Sequence, residues 1–117
     1  NKPLRYLSFE RNMMNELDNK RTGASFKGYL YARYDQLLPT FGEPRQPIHA
    51  DNKIDVEWII DTPHGVAIIY NYKDGKAYLG DSGLNLEEIY EWHVGGKTSE
   101  VYGWIKERLQ RNIIAGF

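Results

Sequence analysis

The chain has 117 residues and a mass of 13.6 kDa, which is the size of a single domain that can bury a core without disulfides. Its 15 basic and 16 acidic residues leave a net charge of -1, which argues against both a basic nucleic-acid-binding domain and an acidic mimic of DNA. Because there is no cysteine, disulfides, thiol nucleophiles and cysteine-based zinc sites are excluded. The sequence shows neither an apolar run of about eighteen residues nor a signal-peptide core, so we expect a cytosolic protein without a membrane segment.

The first predicted element is a helix within residues 2–21, where Phe9, Met13 and Leu17 recur at one-turn spacing. Gly23 follows as a helix stop. Charged residues and asparagines dilute the apolar stripe, so we expect residues 1–22 to form a loosely packed N-terminal segment. Residues 23–117 would then form a single α+β domain.

A strand and a short helix are predicted next. Apolar and polar residues alternate over residues 25–32, which is typical of a strand. Apolar residues at helical spacing from Tyr34 to Phe41 predict a helix that ends at Gly42. Pro39 lies inside this stretch and requires the helix to be short.

The second half of the chain predicts further strands and the longest helix. Alternation predicts strands over residues 53–61, 66–73, 76–79 and 88–94, and Asp74-Gly75 between two of them predicts a tight hairpin. Thr98 or Ser99 would cap a C-terminal helix with an apolar stripe along one side. The order of elements predicts an α+β fold in which an antiparallel sheet of about four to five strands carries a long C-terminal helix and a short helix on one face.

The strand patterns also predict what each face of the sheet carries. We expect Trp58, Tyr90 and Trp92 to lie beneath the helices and to face Trp104. The opposite face, open to solvent or a partner, would carry the polar residues Asp55, Glu57, Glu91 and His93.

The string Gly95-Gly96-Lys97-Thr98-Ser99 has the letters of a phosphate-binding loop. That loop needs a further glycine at the position that Glu91 occupies, where a carboxylate would repel phosphate. We therefore interpret the string as a turn between a strand and a capped helix. A weaker anion-binding site at Gly95, Gly96, Lys97 and Thr98 remains as the functional alternative.

The sequence gives only weak evidence of a catalytic site. Asp55 and Glu57 share one strand face, and with His93 they could hold a divalent metal for hydrolysis, but a solvated charged face is the better explanation of the acids. His49, His64 and His93 show no metal-ligand spacing. We expect no cofactor and no metal, and the absence of a catalytic group favours a non-enzymatic role.

Aromatic residues make up 14% of the chain and cluster with basic residues between Phe26 and Tyr34. Such a cluster suits burial in cross-strand pairs, a protein-binding surface or a platform on which nucleic-acid bases stack. The near-neutral charge favours a protein partner over nucleic acid.

A resemblance to a known family rests on an ordered set of motifs: Gly23–Tyr29, then Tyr34, Leu37 and Phe41–Pro44, then Lys53–Trp58, Ile69–Lys73 and Glu91–Gly96. Over residues 23–108 the chain resembles a family of small proteins of unassigned function that is encoded widely in tailed-bacteriophage genomes. The resemblance implies a phage protein but no activity and no catalytic residue. Small non-catalytic phage proteins frequently act by binding and blocking a host or defence protein.

These observations predict a phage-encoded, non-enzymatic protein that binds, and thereby inhibits, a host or defence macromolecule in the cytoplasm of the infected cell. The expected partner-binding residues are aromatic and polar: Tyr29, Tyr31, Arg33, Tyr34, Glu57, Glu91 and His93. A nucleic-acid or nucleotide binder and a metal-dependent hydrolase are the alternatives. A tyrosine-rich exposed face would also permit a homodimer.

Overall fold

In the computed structural model, which describes residues 16–47 and 52–116, strands form one antiparallel sheet. The strands are β1 (Ser25–Tyr31), β2 (Glu57–Thr62), β3 (Gly65–Tyr70) and β4 (Glu91–Gly96), and their order is β1-β4-β3-β2. The helices are α1 (Tyr34–Phe41), α2 (Lys76–Leu79) and α3 (Glu100–Ala115), with short 3-10 turns at Gly80–Ser82 and Leu86–Glu88. Residues 16–21 are helical as well. The predicted α+β class, with a long C-terminal helix on an antiparallel sheet, is confirmed.

One face of the sheet is buried under α1 and α3. Trp58 and Trp92 form the centre of this core, with ring centroids 5.4 Å apart in an edge-to-face arrangement. Each buried indole N–H is satisfied, since Trp58 donates to the Gly42 carbonyl at 2.7 Å and Trp92 to the Ala32 carbonyl at 2.9 Å. The apolar stripe of α3 packs against them through Val101, Ile105 and Leu109, with Trp104 at its margin.

The predicted strands over residues 53–61 and 66–73 are too long, since β2 begins at Glu57 and β3 ends at Tyr70, and two further details are wrong. Tyr90 is 56% exposed, because β4 begins only at Glu91 and the alternation does not extend back to Tyr90. Residues 76–79 form the short helix α2 instead of a strand, so Asp74-Gly75 does not close a hairpin. Buried Asn71 explains the difference, because its amide nitrogen donates to both Asp55 and Asp74 and ties the chain into a compact turn.

The helix α1 contains Pro39 and is short, as its sequence predicts, with eight residues. It begins where the Arg33 backbone N–H donates to the Gln36 side chain at 2.9 Å, and it ends at Gly42, whose φ is +85°. Asn112 of α3 donates to Thr40 at 2.9 Å and fixes the two helices side by side.

In the described ranges, no helix has the length and hydropathy needed to cross a membrane. The predicted helical residues Phe9 and Met13 lie outside those ranges.

The edge strand β1 is held to α3 by the ring of Tyr102. Its hydroxyl donates to the Tyr29 carbonyl at 2.6 Å, and its ring lies so close to Gly28 that a Cβ there would overlap it. Gly28→Ala should therefore displace Tyr102 and lower the free energy of unfolding by about 1–3 kcal/mol. Gly103→Ala on α3 is the matched control, because nothing lies within 4 Å of its Cβ position and alanine should stabilise the helix by about 0.5–1 kcal/mol. Urea denaturation of both variants tests this pair, and a Gly28→Ala protein as stable as Gly103→Ala would contradict it.

Candidate binding face

The face of the sheet opposite α3 presents aromatic rings to solvent. We call the aromatic face the group formed by Phe26, Tyr29, Tyr31, Tyr72, Tyr90 and His93. Their exposed fractions range from 39% for Tyr72 to 56% for Tyr90, and His93 is half-buried among them. Exposed large apolar groups are unremarkable when scattered, but here they are contiguous, which is the pattern of an interaction surface.

Strand register assembles this face. Tyr29 of β1 and Tyr70 of β3 both lie opposite His93 of β4, so the three side chains project from the sheet in one row. A β-bulge between Phe26 and Gly28 adds Lys27 as an extra residue in β1. The bulge moves Phe26 onto the same face as Tyr29, whereas strict alternation would place them on opposite faces.

His93 is the centre of the aromatic face. Its ring centroid lies 5.1 Å from those of Phe26 and Tyr29, and 5.3 Å from those of Tyr70 and Tyr72. Tyr31 continues the row, 6.2 Å from both Tyr29 and Tyr90. Since the rings contact one another, the side chains lose little further rotational freedom when a partner covers them.

The centre of the aromatic face is uncharged, and one of its edges carries a negative charge. Desolvation among the rings lowers the pKa of His93, opposed by the charges of Glu91 and Asp74, so the imidazole is uncharged near pH 7. Desolvation also raises the pKa of Tyr31, assisted by Glu91, its exposed neighbour across β1 and β4. On the far side, the Lys73 ammonium lies 5.3 Å from the centroid of Tyr72 and supplies a positive group.

Of the residues predicted to bind a partner, Tyr29, Tyr31, Glu91 and His93 are brought together on this face. Arg33 and Tyr34 are not. The chain leaves the sheet at buried Ala32 and turns under the core face, where Tyr34 packs against Trp58 and Trp92. Arg33 lies at the start of α1, with Nε 2.9 Å from Asp35. These two residues therefore lie apart from the aromatic face, because the chain leaves the sheet after Tyr31.

Glu57 was predicted to be an exposed residue that binds a partner. The prediction of its exposure is wrong, because the side chain is 0% exposed. It does point away from Trp58, but residues 18–24 and 45–47 cover that end of the sheet. Its Oε2 lies 2.7 Å from Arg45 Nη2, and its Oε1 lies 3.2 Å from Arg21 Nε. Arg45 is held in place because its backbone forms a β-bridge with Glu57, and Asp18 pairs with its guanidinium at 2.6 Å.

The residues proposed for a metal-dependent hydrolase are not gathered. Asp55 accepts hydrogen bonds from Asn71 at 2.7 Å and from the Ala77 backbone N–H at 3.1 Å, so it fixes the turn before α2. Glu57 is engaged by arginines, and His93 lies among aromatic rings. Among residues 16–47 and 52–116, no three acidic or histidine side chains are placed to hold a metal ion. His49 lies outside these ranges.

The Gly95–Ser99 string is also placed differently from its prediction. Gly95 and Gly96 are buried inside β4, where they pair with neighbouring strands and do not form an open turn. A Cβ on Gly96 would overlap Val101, so this glycine allows α3 to approach the sheet. The Thr98 hydroxyl donates to the His64 carbonyl at 3.2 Å and does not cap α3. Gly95 and Gly96 therefore lie within the sheet, apart from the start of α3 where the anion-binding alternative places its open amides beside Lys97.

The predicted partner-binding residues did not include Phe26, Tyr70, Tyr72 or Tyr90, although Phe26 belonged to the aromatic cluster that the sequence analysis identified. The alternation of Tyr70 and Tyr72 in one predicted strand was an available signal for two of them. Phe26 depends on the bulge, for which the sequence offers no turn signal. A comparison of the chain with protein-family models, curated proteins and solved structures finds no match.

Proposed function

We propose that the protein is a non-enzymatic binding protein whose aromatic face contacts a partner protein. The observation that carries the proposal is the contiguous row of exposed rings on one open sheet face, ordered around His93. Tyrosine and other aromatic residues are enriched at protein interfaces, and a few such anchors supply most of the binding free energy.

The charges around the face indicate the chemistry of the partner surface. The centre is apolar and uncharged, since His93 has a lowered pKa, so it suits an apolar or aromatic protrusion of the partner. Glu91 is exposed beside Tyr31 and suits a basic side chain at the edge of the contact.

The resemblance to small tailed-phage proteins supports a proposal about the biological role of this binding. A phage protein that covers a surface of a host or defence protein in the cytoplasm of the infected cell inhibits it by occupying that surface. The motif string over residues 23–108 supports this extension, and the aromatic face supplies the contact.

Nucleic acid is the second candidate partner. Open sheet faces with exposed rings can stack unpaired bases, and Lys73 beside Tyr72 supplies a cation near the phosphates. Glu91 on the same face disfavours it, because a carboxylate next to Tyr31 would repel the backbone of the strand.

The experiment is affinity capture from lysate of a bacterial host at about 0.15 M salt, with and without nuclease treatment. The protein should retain a specific host protein whether or not nucleic acid is digested. Capture that disappears with nuclease, or that falls steeply as salt is raised, would instead identify the nucleic-acid alternative. Capture of the same protein by a Tyr31→Arg variant would contradict a role for the aromatic face.

A further inference from the structure

A cavity of about 550 Å³ lies beside the aromatic face, between the sheet, residues 18–24 and residues 45–47. Its volume is within the range of clefts that hold small organic ligands. Tyr72 borders both the cavity and the aromatic face, but the remaining walls of the cavity come from residues outside that face.

The floor of the cavity is apolar. Ile68 and Tyr70 of β3 and Gly95 of β4 form it, and Gly95 leaves the floor open because it carries no side chain. Pro47 and Ile54 add apolar surface at the side. Such a floor suits a ring or a short hydrocarbon, which would lie against Tyr70 and Tyr72.

The charged wall of the cavity contains more hydrogen-bond donors than acceptors. Buried Glu57 orients both guanidinium groups, and Arg45 uses its Nε and Nη2 for Glu57 and Asp18. Arg21 approaches Glu57 through Nε, which lies 3.2 Å from Oε1 and forms an ion pair without hydrogen-bond geometry. Within the described part of the chain, the two terminal nitrogens of Arg21 have no acceptor, and its side chain is 36% exposed.

An arginine that is positioned through Nε and keeps both terminal nitrogens available matches the two oxygens of a planar acid. Asp18 and Glu57 already place two negative charges in this wall, so a monoanionic carboxylate fits better than a dianionic phosphate. We propose that this cavity binds an organic carboxylate, with the acid on Arg21 and an apolar or aromatic body on Tyr70 and Tyr72. The carboxylate is either a free small acid or the C-terminal acid of a bound peptide. This proposal does not depend on the proposed function of the aromatic face.

The test is an NMR titration of the whole protein with 3-phenylpropionate, alongside its neutral amide and phenyl phosphate. We expect saturable chemical-shift changes at the backbone N–H groups of Ile68 and Gly95 and at Arg21 Nε–H. The neutral amide and phenyl phosphate should each bind at least about tenfold more weakly than 3-phenylpropionate. N-acetylphenylalanine provides the second arm, since tighter binding of this compound than of 3-phenylpropionate identifies a peptide C-terminus as the natural source. Equal binding of the amide, or shifts confined to the aromatic face, would overturn the proposal.

Arg21→Gln should weaken the binding of 3-phenylpropionate by at least about tenfold, because the planar charged guanidinium group is lost. Arg21→Lys should give an intermediate loss, which separates charge from geometry. Arg111→Gln is the matched control, since Arg111 is an exposed arginine that pairs with Glu107 on α3, and it should leave the affinity unchanged. A melting curve confirms that each variant is folded. Unchanged binding by folded Arg21→Gln would refute the site, whatever is found for the partner of the aromatic face.

Discussion

Replacing Glu57 by glutamine should lower the free energy of unfolding by about 3–5 kcal/mol, because it removes the charge of a fully buried carboxylate that the largely buried Arg45 shares with the part-exposed Arg21. The amide of glutamine would also turn one donor toward an arginine that can only donate. Asp18 still pairs with Nη2 of Arg45, so the loss should fall mainly on Nε of Arg45, which lies 2.8 Å from Glu57 Oε2. The effect is expected although Glu57 was predicted from the sequence to be an exposed residue.

Asp61→Asn is the matched control for this variant. Asp61 is a strand carboxylate of β2 like Glu57, but it is exposed and pairs with Lys20 at 3.0 Å. Exposed pairs contribute little, so the change in the free energy of unfolding should stay below about 1 kcal/mol. Urea denaturation at pH 7 measures both. Similar small losses for the two variants would show that Glu57 is hydrated and that residues 18–24 do not close over it.

The second large effect concerns binding. Replacing Tyr29 and Tyr31 together by alanine should weaken the complex with the captured partner by at least about 100-fold, because Tyr29 contacts the central His93 and Tyr31 continues the row of exposed rings. Their exposure means that the free energy of unfolding should fall only by about 1 kcal/mol, the size of lost cross-strand contacts. Calorimetry or surface-plasmon measurements with purified partner give the affinities.

Ile114→Ala provides the control for the binding prediction. Ile114 is 76% exposed, more than either tyrosine, but it lies near the end of α3, on the layer that covers the opposite face of the sheet. The variant should bind the partner with unchanged affinity. If Ile114→Ala weakens the complex as much as the tyrosine variant does, the contact is made by exposed apolar groups in general and not by this face.

The sheet and the helices that cover it could be predicted because the residue patterns of strands and helices extend over only a few neighbouring positions. Alternation placed Trp58 and Trp92 on the face that α3 covers, and helical spacing located α1 and α3 to within a few residues. The strand prediction failed at residues 76–79, where buried Asn71 organises a turn through Asp55 and Asp74. Such a tertiary hydrogen-bond network leaves no periodic signal.

The candidate site was harder to predict, because its composition depends on features of the whole fold. Alternation within each strand placed Tyr29 with Tyr31 and Glu91 with His93, and the register of β1 and β4 joins the two pairs on one face. The burial of Glu57 depends on Arg21 and Arg45, which lie far from it in sequence and carry no pattern that links them to it. The sequence therefore indicates which side of a strand a residue occupies, but not whether another segment covers that side.

The most direct measurement of the central claim is cross-saturation NMR of the complex, in which the partner is irradiated and the loss of signal in this protein is mapped. Signals of Tyr29, Tyr31 and Tyr90 should lose intensity most, while Ile114 of α3 keeps its intensity. Loss concentrated on α3, with the tyrosine signals unchanged, would contradict a binding role for the aromatic face.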